Sequence, residues 1–420
     1  MGSDAISLLT IPLFSAAIGY VTNWTGVWML FQPIEFAGFR LPGLSRLARL
    51  LPRRIQQIPG VMVGGVGWQG IIPSRAAKMG SIAVDKGIAK LGRVGDFYET
   101  LDPDGIAEHI VRSGDVRELV DRVMEREHPS LWRELTPELR EAIHVRVERQ
   151  YPELIRELTH VIGQNIDELL DVKLMVIRRF ERQPELANRI FKSIGDRELK
   201  LMINFGAIFG FILGIPVAVL TGVLGSPWVL LVCGPIVGWV TNWLAILMIF
   251  EPVEPKRVLG IRVHGLFLRR QHEVSEVYAS VISKDIVTLG NITNELLHGP
   301  RADRTRQLLV ETLRPAVDRA VGGARPLVRL AVGPREYDAI RESVALEGIE
   351  ESMTPLTDPE FNRRRAAPVK ALLTDRMRDM PPADFSEMLR SAMREDEWLL
   401  LLHGAALGVV GGLAHLVLFA

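Results

Sequence analysis

The 420-residue sequence has a single cysteine, Cys233. An intrachain disulfide is therefore excluded, and so is a cysteine-rich zinc site. Net charge is also lacking, because 50 Lys and Arg offset 50 Asp and Glu. No global field draws such a chain toward nucleic acid. The sequence holds no G-x-x-x-x-G-K-[ST], H-E-x-x-H, EF-hand loop or G-x-S-x-G, the signatures of phosphate, zinc-protease, calcium and serine-hydrolase chemistry. Gly65 to Gly70 does fit G-x-G-x-x-G. A dinucleotide site needs a strand before that motif and a helix after it, whereas a basic amphipathic segment and a Pro flank this one. The nine histidines are scattered. His109, His128, His144 and His160 lie in a charged helical pattern, and His264 and His272 flank Arg269 and Arg270. With neither a nucleophile nor a metal constellation, the chain reads as a non-enzyme without metal or cofactor.

Charge is missing locally as well. Residues 5–31 carry no charged side chain, nor do residues 201–250. A bilayer core takes about 20 apolar residues per helix, so the second run suffices for two crossings, with GVLGSPW at 222–228 as the turn between them. A last run fills 399–419, where His403 and His415 are the only titratable groups. The spacing predicts four transmembrane helices near 6–31, 201–222, 228–250 and 399–419. The domain plan is a first membrane helix (1–33), a first arm (34–200), a membrane hairpin (201–252), a second arm (253–397) and a fourth membrane helix (398–420). MGSD has no Lys or Arg, so the first run reads as a retained helix rather than a secretory signal.

Basic residues set the expected orientation. Arg40, Arg46, Arg49, Arg53 and Arg54 follow the first run, and Arg189, Lys192, Arg197 and Lys200 precede the second. Lys256, Arg257, Arg262, Arg269 and Arg270 follow the third, and Arg390 and Arg394 precede the fourth. The N-terminus, the 222–228 turn and the C-terminus carry none. Both termini are expected outside and both arms in the cytoplasm of a bacterial inner membrane.

The sequence repeats itself. GYVTNWTGVWMLFQP (19–33) and GWVTNWLAILMIFEP (238–252) match at eight of fifteen positions. FGAIFGFILGIPVAVL from Phe205 and HGAALGVVGGLAHLVL from His403 set Gly206, Gly210 and Gly214 on Gly404, Gly408 and Gly412. GIIPSR (70–75) has a counterpart in GLFLRR (265–270). The unit is helix, long arm, helix, present twice. Each copy crosses the membrane an even number of times, so the copies are parallel repeats about an axis along the membrane normal. The paired TNW motifs, each closing in M-x-F-x-P, the following G-x-x-x-x-R and the glycine-spaced last helix resemble the bacterial membrane family named domain of unknown function 445. The likeness covers essentially the whole chain. It implies an integral membrane protein and brings no activity. The first copy departs from the pattern, with Thr25-Gly26-Val27-Trp28 where Leu244-Ala245-Ile246-Leu247 stands in the second.

On a helix, Ser15, Gly19, Thr22, Asn23 and Gly26 share one face, as do Gly234, Gly238, Thr241, Asn242 and Ala245. Small faces let membrane helices approach closely, and an amide can bond across the contact at about 0.6–2 kcal/mol. The packing set is therefore Gly19, Thr22, Asn23, Trp24, Gly238, Thr241, Asn242 and Trp243, with Gly206, Gly210, Gly214, Gly404, Gly408 and Gly412 opposite. The competing reading has the two asparagines lining an ion or substrate path.

The arms read as helical. LDPDG and LTPEL each pair an N-cap with a Pro at the first helical position. Leu154, Leu158, Val161, Ile162, Leu169, Val176 and Phe180 form a stripe with heptad character, and no strong strand alternation appears. Such stripes pack as bundles or coiled coils, or line an apolar groove for an acyl chain. Residues 39–59, FRLPGLSRLARLLPRRIQQIP, are basic and amphipathic and suit the headgroup interface. Arg46, Arg49, Arg53, Arg54, Arg269 and Arg270 are the expected lipid-headgroup contacts.

These readings converge on an all-α membrane protein, internally duplicated, with four transmembrane helices in parallel repeats and two long helical cytoplasmic arms. The expected role is a scaffold or lipid-handling element, with membrane lipids as partners, a homo-oligomer as assembly, and room for a protein partner on the arms. The alternative is a channel or transporter subunit with its path between subunits near the TNW motifs.

Overall fold

The computed structural model describes residues 2–40, 50, 52–56, 58–62, 64–226, 228–258, 260–322, 325–326, 329, 333–391 and 393–419. Eight helices matter below. They are α1 (Gly2–Phe31), α2 (Val116–Glu127), α3 (Pro137–Leu169), α4 (Pro184–Leu224), α5 (Val229–Phe250), α6 (Ala302–Val321), α7 (Pro334–Met353) and α8 (Glu397–Phe419). The chain divides into two compact units. The first comprises 1–88, 176–278 and 377–420, and the second comprises 89–175 and 279–376.

The first unit contains every long apolar helix. Among the described residues three helical spans are long and apolar enough to cross a membrane: Pro184–Leu224, Val229–Phe250 and Arg394–Phe419. Helix α1 has no charge beyond Asp4 and packs along α4, while α5 packs along α8. Helix α4 begins at Pro184 rather than near 201. A Pro at the first helical position suits its fixed φ, and the helix runs 41 residues without a break where the apolar segment starts. It stops at Gly225, whose φ of 57° is the left-handed cap that glycine adopts without strain.

Two short antiparallel hairpins follow α1 and α5, where strands were not expected. Ala37–Arg40 pairs with Gly65–Trp68, and Lys256–Val258 pairs with Ile261–Val263. The G-x-G-x-x-G stretch is thus largely a strand set against Ala37 to Arg40. Of the predicted amphipathic insert 39–59, Arg46 and Arg49 lie outside the described residues, with 41–49, 51 and 57. Arg53 and Arg54 open a short helix, Arg53–Gln56.

The second unit is a helical bundle. Its longest helix, α3, begins at Thr136, whose side chain accepts from the Leu139 N–H, and carries Pro152 inside it. The helix that carries the predicted stripe therefore begins well before Leu154 and ends inside the stripe. Leu169 closes α3, and Val176 and Phe180 belong to the next helix, Val172–Arg182. Within this unit α3 packs on α6, α6 on α7, and α2 on α7.

Candidate functional site

The TNW motifs are seams between helices. Asn23 Nδ2 donates to the Met202 carbonyl at 2.5 Å, and Asn242 Nδ2 donates to the Leu400 carbonyl at 2.6 Å. Both asparagines are buried. Around them the backbones touch. A Cβ built on Gly19 would fall under 3.0 Å from the Gly206 carbonyl oxygen, and one on Gly238 equally close to that of Gly404. Gly210 meets the Ser15 backbone, Gly408 the Gly234 backbone, Gly214 the Pro12 backbone and Gly412 the Leu230 backbone, all under 3.0 Å from an added Cβ. These positions take glycine because only a missing side chain permits the approach. Thr22 and Thr241 are buried beside them.

Trp24 and Trp243 are corrected. They are 53% and 44% exposed, pointing away from the seams they were expected to fill. A seam closed by backbone contact has no room for an indole, so the rings sit on the outer face, where Trp243 stacks on Trp239. Thr25 and Gly26, where the first repeat departs from the second, face α8. Thr25 Oγ1 lies 2.8 Å from His403 Nε2, and a Cβ on Gly26 would meet His403 and Leu400 at 3.8 Å.

Arg270 is also corrected. Its guanidinium bonds Glu198 at 2.5 Å and Glu273 at 2.5 Å. It is held by carboxylates rather than presented to headgroups, whereas Arg269 is exposed. Arg75 makes the matching contact, 2.5 Å from Asp396, with side chains only 5% and 3% exposed. Arg75 and Arg270 end the matched segments 70–75 and 265–270, and Glu198 and Asp396 each stand seven residues before the matched segments that start at Phe205 and His403. Each Arg therefore reaches a carboxylate in the other half of the sequence. The alignment that exposed the glycines carried this signal too, because the acids sit at equal offsets. The loops repeat as well. The Gly70 N–H donates to the Pro33 carbonyl at 2.8 Å and the Gly265 N–H to the Pro252 carbonyl at 3.0 Å.

The second unit holds an apolar cavity of about 220 Å³. Its walls follow helical spacing. Leu119 and Val123 come from α2; Ile143, Val147, Leu154 and Leu158 from α3; Leu313 and Val317 from α6; Val344 and Gly348 from α7. Trp132 and Leu135 also line it. The polar groups of the lining are tied down in two separate places, near the two ends of α7. Tyr337 OH donates to Asp318 Oδ1 at 3.0 Å, and Arg341 Nη1 donates to Asp318 Oδ2 at 3.2 Å. Tyr151 OH donates to Ser352 Oγ at 3.4 Å. Burial, reinforced by the Asp318 carboxylate, pushes the Tyr337 hydroxyl above the usual tyrosine range. A dry, Leu- and Ile-lined cavity of about 150 Å³ already binds benzene, so this one has room for a segment of hydrocarbon chain. A Cβ on Gly348 meets nothing within 4 Å. Among the described residues, no group of three or more His, Cys, Asp or Glu is placed to hold a metal ion.

Over 102 residues the chain is 30% identical to the UPF0754 membrane protein GK0639 of Geobacillus kaustophilus (strain HTA426), a stretch covering 24% of this chain and 27% of that protein. The chain thus matches about a quarter of the length of that curated relative. No family model matches the chain, and no solved structure matches it. The relative and the apolar helices support a membrane protein. The relative's family label differs from the one suggested by the TNW motifs, and a quarter-length match assigns the chain to neither.

Proposed function

We propose that this is a non-enzymatic lipid-handling protein of the bacterial inner membrane. Its second unit takes an acyl chain into the cavity between α2, α3, α6 and α7. The observation that carries the reading is a cavity of about 220 Å³ with hydrocarbon walls and a few tethered polar groups. Ligand pockets combine these features, an apolar interior with a few placed polar groups that fix orientation. Lipid is the hydrocarbon always within reach of a membrane protein.

In this reading α1, α4, α5 and α8 form a duplicated four-helix anchor. Support comes from the equivalent asparagine bonds, glycine seams and crossed Arg–carboxylate pairs of the two halves. The basic residues bordering the helices favour cytoplasmic arms and outer termini. Self-association through exposed apolar helix faces fits the same picture. A path between subunits lined by Asn23 and Asn242 gains no support, because both amides are buried against their own partner helices.

The test is the lipid content of the protein purified in mild detergent, by mass spectrometry against bulk membrane extract. Wild type is expected to enrich one class of acyl lipid, and Gly348→Leu, which fills the cavity, to lose that enrichment. A wild-type profile equal to bulk, or an unchanged profile in the variant, would overturn the reading. Loss on changing Arg46, Arg49, Arg53 and Arg54 to Gln, with Gly348→Leu unaffected, would place the lipid at the basic insert instead.

A further inference from the structure

The apolar helices of the first unit line a second, partly open cavity, of about 50 Å³. On α1 its lining runs from Ile11 to Thr22, about 16 Å of axis at roughly 1.5 Å per residue. Most of the wall is aliphatic or glycine, but Ser15, Thr22, Thr241 and His415 also face it. The Thr241 hydroxyl is satisfied by the Gly238 carbonyl at 3.0 Å. Thr22 and His415 are different. They are only 1% and 6% exposed, yet Thr22 Oγ1 and His415 Nε2 have no hydrogen-bond partner in the protein. An unmade hydrogen bond on a buried polar group is costly, so two such groups on one narrow cavity point to a ligand that both can bond.

Water meets the requirements. A buried water needs about 10–15 Å³ of this kind of volume and two to four polar partners, so the cavity accommodates roughly three waters in file. The volume leaves no room for a larger ligand. From α1 the cavity presents Phe14, Ser15 and Thr22, from α4 Val217, from α5 Leu230 and Thr241, and from α8 glycines and His415. His415 is the one titratable group among the lining residues. Its ring is held by Phe14, edge-on at 5.3 Å, and by Phe419 at 4.8 Å. Ionisable side chains inside membrane segments mark proton relays and ion paths more often than structure.

We propose that this cavity is an internal water file between Thr22 and His415, and that His415 is its proton-binding group. In the tautomer with hydrogen on Nδ1, the Nε2 lone pair takes a proton delivered as hydronium, which leaves a water in the file. Thr22 terminates the file, its hydroxyl bonding the last water.

The experiment uses the full chain in lipid nanodiscs with ¹⁵N-labelled histidine. NMR measures magnetisation transfer from water to each ring and the response of each ring to pH. The His415 signal is assigned by its loss in His415→Gln or, if that variant does not fold, by contacts to the Phe14 ring. Expected are water transfer to the His415 ring, a reversible shift with pH, and at least a twofold fall in transfer in Thr22→Val, which keeps the shape and removes the hydroxyl. A His415 ring without water transfer, while the histidines of the second unit show it, would overturn the proposal. So would a transfer rate unchanged by Thr22→Val.

Discussion

Adding one methyl group at Gly206 should separate two helices. A Cβ there would lie under 3.0 Å from the Gly19 carbonyl oxygen and 2.7 Å from the Asn23 amide nitrogen. Backbone cannot yield as a side-chain tip can, so α1 and α4 must move apart by about 1 Å to restore ordinary contact. Overpacking of this kind costs about 1–3 kcal/mol. The same displacement weakens the Asn23 bond to Met202, a further 0.6–2 kcal/mol by order of magnitude. The helix-propensity gain of Ala over Gly returns up to about 1 kcal/mol. The net loss is about 1–4 kcal/mol. The same helix supplies a control, because a Cβ on Gly222 meets nothing within 4 Å, so Gly222→Ala should be neutral or slightly stabilising. Denaturant unfolding in mild detergent compares the two variants. Equal stability of Gly206→Ala and Gly222→Ala would refute the backbone seam, and with it the reason given for the asparagine.

Two further outcomes follow from the ion pairs. Arg75→Leu strands the buried Asp396 carboxylate and should cost about 3–5 kcal/mol, while the Arg75→Leu/Asp396→Leu double variant should recover much of that loss; thermal unfolding of the three proteins decides. In the second unit, Asp102 caps the helix Pro103–Ser113. The Gly105 N–H and then Arg365 hold its carboxyl below the usual range. A lowered folded-state pKa gives stability that is present above the unfolded value, about 3.9, and is lost as pH falls through the folded value. Asp102→Asn should therefore be less stable than wild type at pH 7 by up to about 1 kcal/mol, the scale of an exposed pair. The difference should shrink below about pH 4; a gap that persists at pH 2–3 would refute the linkage.

The apolar runs were legible because hydropathy needs no partner to be read. The same holds for the asparagines and glycines, since a polar or missing side chain inside a membrane helix has few uses. The start of α4 was not legible. Its first turns are charged, and the helix continues past the point where apolar character begins. The hairpins escaped because strands of three or four residues carry no alternation, and Gly65 and Gly67 weaken what there is. The tryptophans were misplaced because helical spacing assigns a residue to a side, and only the backbone approach at Gly19 and Gly238 shows which side lacks room. The Arg75–Asp396 and Arg270–Glu198 pairs join distant parts of the chain; the equal offsets of the two acids in the repeat alignment were their one signal, and it does not say which Arg meets which acid. The stripes of α2, α3, α6 and α7 were readable as apolar faces. That they stand apart enough to leave a cavity depends on side-chain volumes where the four helices face one another.

The most direct test of the account is covalent. A fatty acid carrying a photoactivatable diazirine on its chain is added to cells expressing the protein, light is applied, and labelled peptides of the purified chain are mapped. Adducts are expected on the cavity walls of the second unit, at residues such as Leu119, Ile143, Leu154 and Val344, and are expected to be lost in Gly348→Leu. Adducts confined to the outward faces of α1, α4, α5 and α8 would show lipid acting only as solvent and would contradict it.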